Sequence, residues 1–386
     1  MSCADGAFRT FRLTSPTRLV SLVVVLVIAF GLAFAWRVGT AQPGAESETA
    51  PTSDLGPISD ESGQTQRVGF VVSREGAVLA PGPGEPGQSV AAGVVFAVLG
   101  EDDRGFEVLD ACNREGWLAA DQADPGLVPS NRERRFDHSV FVIDPGHGLP
   151  DLGAVGPEGL TETEVNIDVS ARVVQLLESS QDIDWVTGAV TPGDAVPPAA
   201  TAIMTRSPDG PNGGDYEVGL TFRAALGNAV DATALVSIHH NTAPNASLDH
   251  PGAEAYVSAA NAESPRLGGL IVDELRTAFE RFEADWTGAP GTGVFSRVDA
   301  DGADYYTLLD VSEGPAVIVE GAYISNPSEE ALAMTDQFRQ SYAEGVYRAL
   351  VRFVTTDDDP IPAPEPELWE VEGPPRSMDD CVVPAP

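Results

Sequence analysis

Three apolar runs in the second half of the chain, residues 140–143 (VFVI), 234–238 (ALVSI) and 316–319 (AVIV), limit its fold more than any other feature. Runs with so little polar content are typical of strands covered on both faces. Between them the period lengthens. Val165, Val169, Val173, Leu176 and Leu177 recur at helical spacing, and residues 266–282 and 336–353 also read as helices. Strands alternating with helices over residues 139–355 predict an α/β domain.

Each run ends in side chains that can bind a metal or move a proton. The first leads into Asp144-Pro-Gly-His147-Gly, the second into His239 and His240, and the third into Glu320. In open α/β sheets ligands gather beyond the carboxyl ends of the strands, so these three ends can converge. Glu162 opens the helix after the first strand, and the glycine-rich stretch between His147 and Glu162 can fold the chain back toward them. Two imidazoles and a carboxylate form a zinc set that leaves one position for water. Glu320 is then free to act as general base toward that water and as acid toward a leaving nitrogen.

Taken singly, each residue has a plainer reading. A histidine after a strand is usually a hydrogen-bonded structural residue, and a glutamate there is usually a cap or an ion-pair partner. Four such residues in this order point to chemistry instead. A serine or cysteine nucleophile has little support, since no G-x-S-x-G elbow is present and the three cysteines lie outside this region. Arg206 and Arg223 could grip a substrate carboxylate, but salt bridges are the expected use in so acidic a chain. Glu164 reads as solvated, and His138 and His250 as loop residues.

The segments VFVIDPGHGLPDLGAVGPEGLTETEVNID, RAALGNAVDATALVSIHHN and GPAVIVEGAYISNP resemble the zinc-dependent N-acetylmuramoyl-L-alanine amidases of the amidase-3 type. The resemblance covers nearly all of residues 140–354. It implies a sheet-centred α/β domain flanked by helices, with zinc on His147, Glu162 and His239 and with Glu320 as the catalytic glutamate. The substrate it implies is peptidoglycan, cut between N-acetylmuramic acid and the L-alanine of the stem peptide. Longer segments at residues 190–218 and 243–252, and His240 where the family usually has a small residue, depart from the pattern and bear on the cleft rather than on the metal set. By strand alternation, His239 shares a side with Ser237. His240 is expected to start a loop and to line the cleft or face solvent.

Before this domain, residues 67–125 carry short apolar stretches separated by Gly- and Pro-bearing turns, the pattern of a small all-β unit. AGVVFAVLGEDDRGFEVLDACNREGWLAADQ resembles a bacterial SH3-like domain, with Trp117 expected in its core. Since every candidate site residue lies beyond it, deleting residues 68–121 is expected to spare hydrolysis of a small substrate.

Residues 19–36 form an uncharged apolar run, preceded by Arg9, Arg12 and Arg18 and followed by Arg37. This is a membrane anchor or a signal segment over residues 18–37, with residues 1–17 inside and the remainder exported. Residues 38–66 read as a flexible linker and residues 356–386 as an acidic, proline-rich tail, disordered except around Trp369 and Cys381. Export would place Cys112 and Cys381 where disulfides form, so they are a candidate pair. The net charge is -37, with 59 acidic residues against 22 arginines and no lysine, which excludes a phosphate backbone as partner. Two other functions share these features: a catalytically silent wall-binding or regulatory protein, and a zinc peptidase acting within the stem peptide.

Overall fold

The computed structural model describes residues 58–59, 65–130, 134–242, 246–360, 362, 365–369 and 381–386. The apolar run at residues 19–36 and most of the expected linker lie outside the described residues. Among the described residues, no helix is long and apolar enough to cross a membrane.

The all-β unit is made of β1 (Thr65–Ser73), β2 (Val95–Asp102), β3 (Gly105–Leu109), β4 (Glu115–Ala119) and β5 (Ala123–Pro129). All pairings are antiparallel: β1 lies between β2 and β5, and β3 and β4 follow outward from β2. Val71, Phe96, Phe106, Val108 and Leu118 fill its interior. Trp117 departs from expectation. It alternates with Leu118 along β4, so Leu118 takes the core position while Trp117 is half-buried under Arg104.

The α/β domain follows as β6 (Val140–Pro145), α1 (Glu162–Leu177), β7 (Thr201–Met204), α2 (Leu220–Ala229), β8 (Ala234–Asn241), β9 (Glu254–Val257), α3 (Ser264–Phe279), β10 (Val294–Phe295), α4 (Thr307–Val311), β11 (Ala316–Tyr323), α5 (Pro327–Ala333) and α6 (Asp336–Thr355). The sheet order is β7-β6-β8-β11-β9-β10. The first four are parallel, β9 runs antiparallel to β11, and β10 runs parallel to β9.

Alternation along each strand sorts the core into two faces. Phe141, Ile143, Val236, Ile238, Val317 and Val319 pack with residues of α1, α3 and α6. Val140, Val142, Leu235, Ala316 and Ile318 pack on the other face with Phe222 and Leu226 of α2 and Leu308 and Leu309 of α4. Val95, Ala97, Leu109 and Val128 of the β unit belong to that same second cluster. The two parts expected as separate domains therefore share a core.

The tail is held at two places. Glu367–Leu368 pairs in parallel with Arg297–Val298, and Trp369 stacks on the Arg297 guanidinium. Cys381 forms a disulfide with Cys112, and Val383 is fully buried in the interior of the β unit. There Ala91 N donates to Pro384 O at 2.7 Å.

Candidate metal centre

The carboxyl end of β6 is held by buried side chains. The Asp144 carboxylate, wholly buried, accepts from Thr205 Oγ1 (2.6 Å), Ser237 Oγ (2.6 Å) and Arg223 Nη1 (2.5 Å). The turn that follows puts His147 at φ +61, a conformation uncommon for a residue with a side chain. Two buried arginines hold it there. Arg206 donates to Gly146 O at 2.8 Å and His147 O at 3.1 Å, and Arg223 donates to Pro145 O at 2.8 Å and His147 O at 2.9 Å. Among the described residues, only Arg223 of the two pairs with a carboxylate, and both act mainly on carbonyl oxygens. Gly146 must be glycine, because a Cβ there would lie 2.2 Å from the His239 ring.

The strand ends converge as the sequence suggests. Glu162, the first residue of α1 and 3% exposed, points its Oε1 at His147 Nε2 (3.1 Å) and His239 Nδ1 (2.9 Å). One ligand atom from each of the three residues can be chosen so that all lie within 4.8 Å of one another. The two imidazole rings meet edge to face, 4.9 Å between centroids. The Glu162 Oε2 atom accepts from Ala154 N at 2.8 Å, and His147 Nδ1 lies 3.1 Å from Asp151 Oδ2. Gly153 permits this closeness, since a Cβ on it would stand 2.5 Å from Glu162 Oε2.

On β11, Glu320 is in register with His239 on one side and with Glu254 on the other. Among the described residues its Oε2 is buried with no hydrogen-bond partner, whereas the Glu254 carboxylate accepts from four donors: Asn241, Tyr256, Ala289 and Tyr323. The contrast separates a carboxyl held by hydrogen bonds from one left without them. Burial, together with the nearby carboxylates of Glu162 and Glu254, holds Glu320 well above the usual carboxylate range. Burial acts in the same direction on Glu162, but the two imidazoles override it and keep that carboxylate well below the range. At His147, burial works to lower the pKa, yet the bonds to Asp151 and Glu162 raise it to about 9. Two imidazole nitrogens and one carboxylate oxygen facing each other this closely form a donor set that fits a divalent ion of the zinc type.

The second histidine of the pair departs from expectation. β8 does not break after His239 but runs on to Asn241, with an irregularity in its pairing to β11. His240 is therefore still fixed by the sheet, on the face opposite His239. It is 2% exposed, packed edge-on against Tyr342, and burial pushes its pKa down to about 4. Its Nδ1 lies 2.9 Å from Asn166 Oδ1. Asp151, Asn166 and His240 are the neighbours of the set that the motifs do not reveal. Glu164 is exposed at the rim and pairs with Arg339, as its position on the outer side of α1 suggests.

Residues 141–352 match the Amidase_3 family of N-acetylmuramoyl-L-alanine amidases. The chain belongs to this amidase family. Among curated amidases, the germination-specific N-acetylmuramoyl-L-alanine amidase of Bacillus subtilis is 28% identical over 229 residues, covering 57% of this chain and 82% of that one. N-acetylmuramoyl-L-alanine amidase AmiC of Neisseria meningitidis is 27% identical over 263 residues, covering 62% of this chain and 59% of its own length. Of solved amidase structures, that of the N-acetylmuramoyl-L-alanine amidase from Clostridium difficile 630 superposes with a TM-score of 0.42 at 20% identity, covering 57% of this chain and 98% of that one.

Proposed function

We propose that this chain is an exported zinc amidase that hydrolyses the amide between the lactyl group of N-acetylmuramic acid and the L-alanine of peptidoglycan stem peptides. The observation that carries the reading is the meeting of His147, Glu162 and His239 beside an unpartnered buried carboxyl oxygen of Glu320, in a member of this family.

His147, Glu162 and His239 would hold the ion. Bound there, zinc supplies Lewis acidity toward the amide carbonyl and toward water. Asp151 fixes the ring of His147 through Nδ1, leaving Nε2 for the ion. Glu320 takes a proton from the water as its oxygen bonds to the lactyl carbonyl carbon, and gives that proton to the alanine nitrogen as the C–N bond breaks. The products are a muramic carboxylate and a stem peptide with a free amino terminus.

Residues 19–36 would deliver the enzyme across the membrane as an anchor or a signal. The Cys112–Cys381 disulfide supports an oxidising compartment. Mass spectrometry of peptidoglycan digested by the purified chain tests the reaction. Free stem peptides beginning with alanine are expected; cuts inside the peptide would make it a peptidase, and intact material would make it a binder.

A further inference from the structure

The Glu162 Oε1 atom faces four nitrogens, of which two, on His147 and His239, belong to the proposed metal set. The other two come from behind it. The His240 backbone N–H donates at 3.1 Å, and Asn166 Nδ2, one turn along α1, donates at 3.3 Å. Asn166 Nδ2 also donates to Gly146 O at 3.3 Å, in the turn that carries His147. The amide of Asn166 thus ties the carboxylate to the backbone next to one of its histidine partners.

An amide can face either way, and only one way works here. Turned over, Asn166 would set its oxygen against Glu162 Oε1 and Gly146 O, two acceptors. What holds it is the 2.9 Å contact between Asn166 Oδ1 and His240 Nδ1. Since Oδ1 can only accept, Nδ1 of His240 must carry the proton, which leaves Nε2 as the bare nitrogen. His240 Nε2 is buried and has no hydrogen-bond partner among the described residues. The ring cannot swing away, because His240 is 2% exposed and packs against Tyr342 with 5.4 Å between centroids.

We propose that His240 is a positioning residue for the metal centre: its Nδ1–H locks the Asn166 amide, which in turn aims Glu162 Oε1 at the ion. This rests on the reading of His147, Glu162 and His239 as metal ligands. It assigns His240 a buried role against α1 and α6, unlike a residue lining the cleft.

The test is zinc affinity, measured by competition with a chromophoric chelator on the full exported chain. His240→Phe keeps the bulk against Tyr342 and removes the donor. It should weaken zinc binding about 10–100-fold, the usual penalty for losing an outer-shell partner of a ligand. His240→Asn can return an N–H near the position of Nδ1 and should bind within about threefold of the parent by the same logic. Asn166→Ala should weaken binding as His240→Phe does, and the double variant should be no weaker than the single ones, since both break one link. If His240→Phe does not fold, His240→Leu removes the same donor. A folded variant lacking the donor that binds zinc as tightly as the parent overturns this inference alone. A parent chain that takes up no zinc overturns the metal reading and this with it.

Discussion

Arg223 shows how much of the candidate site is built from buried groups that hold its backbone. Its buried guanidinium is spread over the Asp144 carboxylate and the carbonyls of Pro145, His147 and Val218. Removing one member of such a pair leaves the other buried without its partner. Arg223→Met should therefore lower unfolding free energy by about 3–5 kcal/mol, read from urea midpoints. Arg135→Ala, at an exposed pair with Asp137, should leave the midpoint unchanged, and equal effects would refute the distinction. His239→Ala should lose zinc entirely on metal analysis, whereas His240→Ala should still fill at saturating zinc; the reverse pattern would exchange their roles. The candidate ligand set was legible because His147 and His239 lie near the carboxyl ends of strands and Glu162 opens a helix, each inside a recognisable motif. The roles of Asn166 and His240 were not, because they depend on an amide and an imidazole facing each other across two elements far apart in sequence.

Among the elements, α2 links the β unit to the candidate metal site. Gly219, just before α2, donates to Ala111 O at 2.7 Å, and Phe222 N donates to the Asn113 side chain at 2.7 Å. At the other end Arg67 Nη1 donates to Ala229 O at 2.6 Å. The turn of the β unit at Asn113 thus caps, from outside, the helix that carries Arg223. Asn113→Ala should destabilise the fold by about 0.5–2 kcal/mol, the range for lost helix caps. Thermal unfolding of the metal-free chain would reveal it, and an unchanged midpoint would remove Asn113 from this role. Deleting residues 68–121 should now expose the apolar face at Val140, Val142 and Phe222 and yield an unfolded or aggregating product. A truncated chain with native-like NMR dispersion would restore the simpler expectation of a dispensable module. Helical and strand periodicity identified both units, but periodicity says only that a face is apolar. It does not say which neighbour covers it, so the shared core was invisible until the two were seen together.

At the scale of the whole molecule, the Cys112–Cys381 bridge joins positions 269 residues apart and returns the tail to the β unit. On the chain-entropy view, closing so long a loop stabilises by roughly 5 kcal/mol. Intact mass should rise by two hydrogens on reduction, and the reduced chain should melt lower; no mass change would mean two free thiols. Compartment chemistry made the pairing thinkable, while only the burial of Val383 beside it explains why the tail returns there. The central claim, that the His147–Glu162–His239 set holds zinc while Glu320 moves the proton, is met most directly by Glu320→Gln. Zinc content and turnover of a soluble muropeptide should be measured together in this variant, in the parent, and in the parent stripped with chelator and refilled. The account predicts about one zinc per chain in parent and variant, turnover in the variant down by about 10²–10⁴, and parental activity that vanishes on stripping and returns with zinc. A zinc-free parent that still cleaves, or a Glu320→Gln chain that keeps parental turnover, would contradict it.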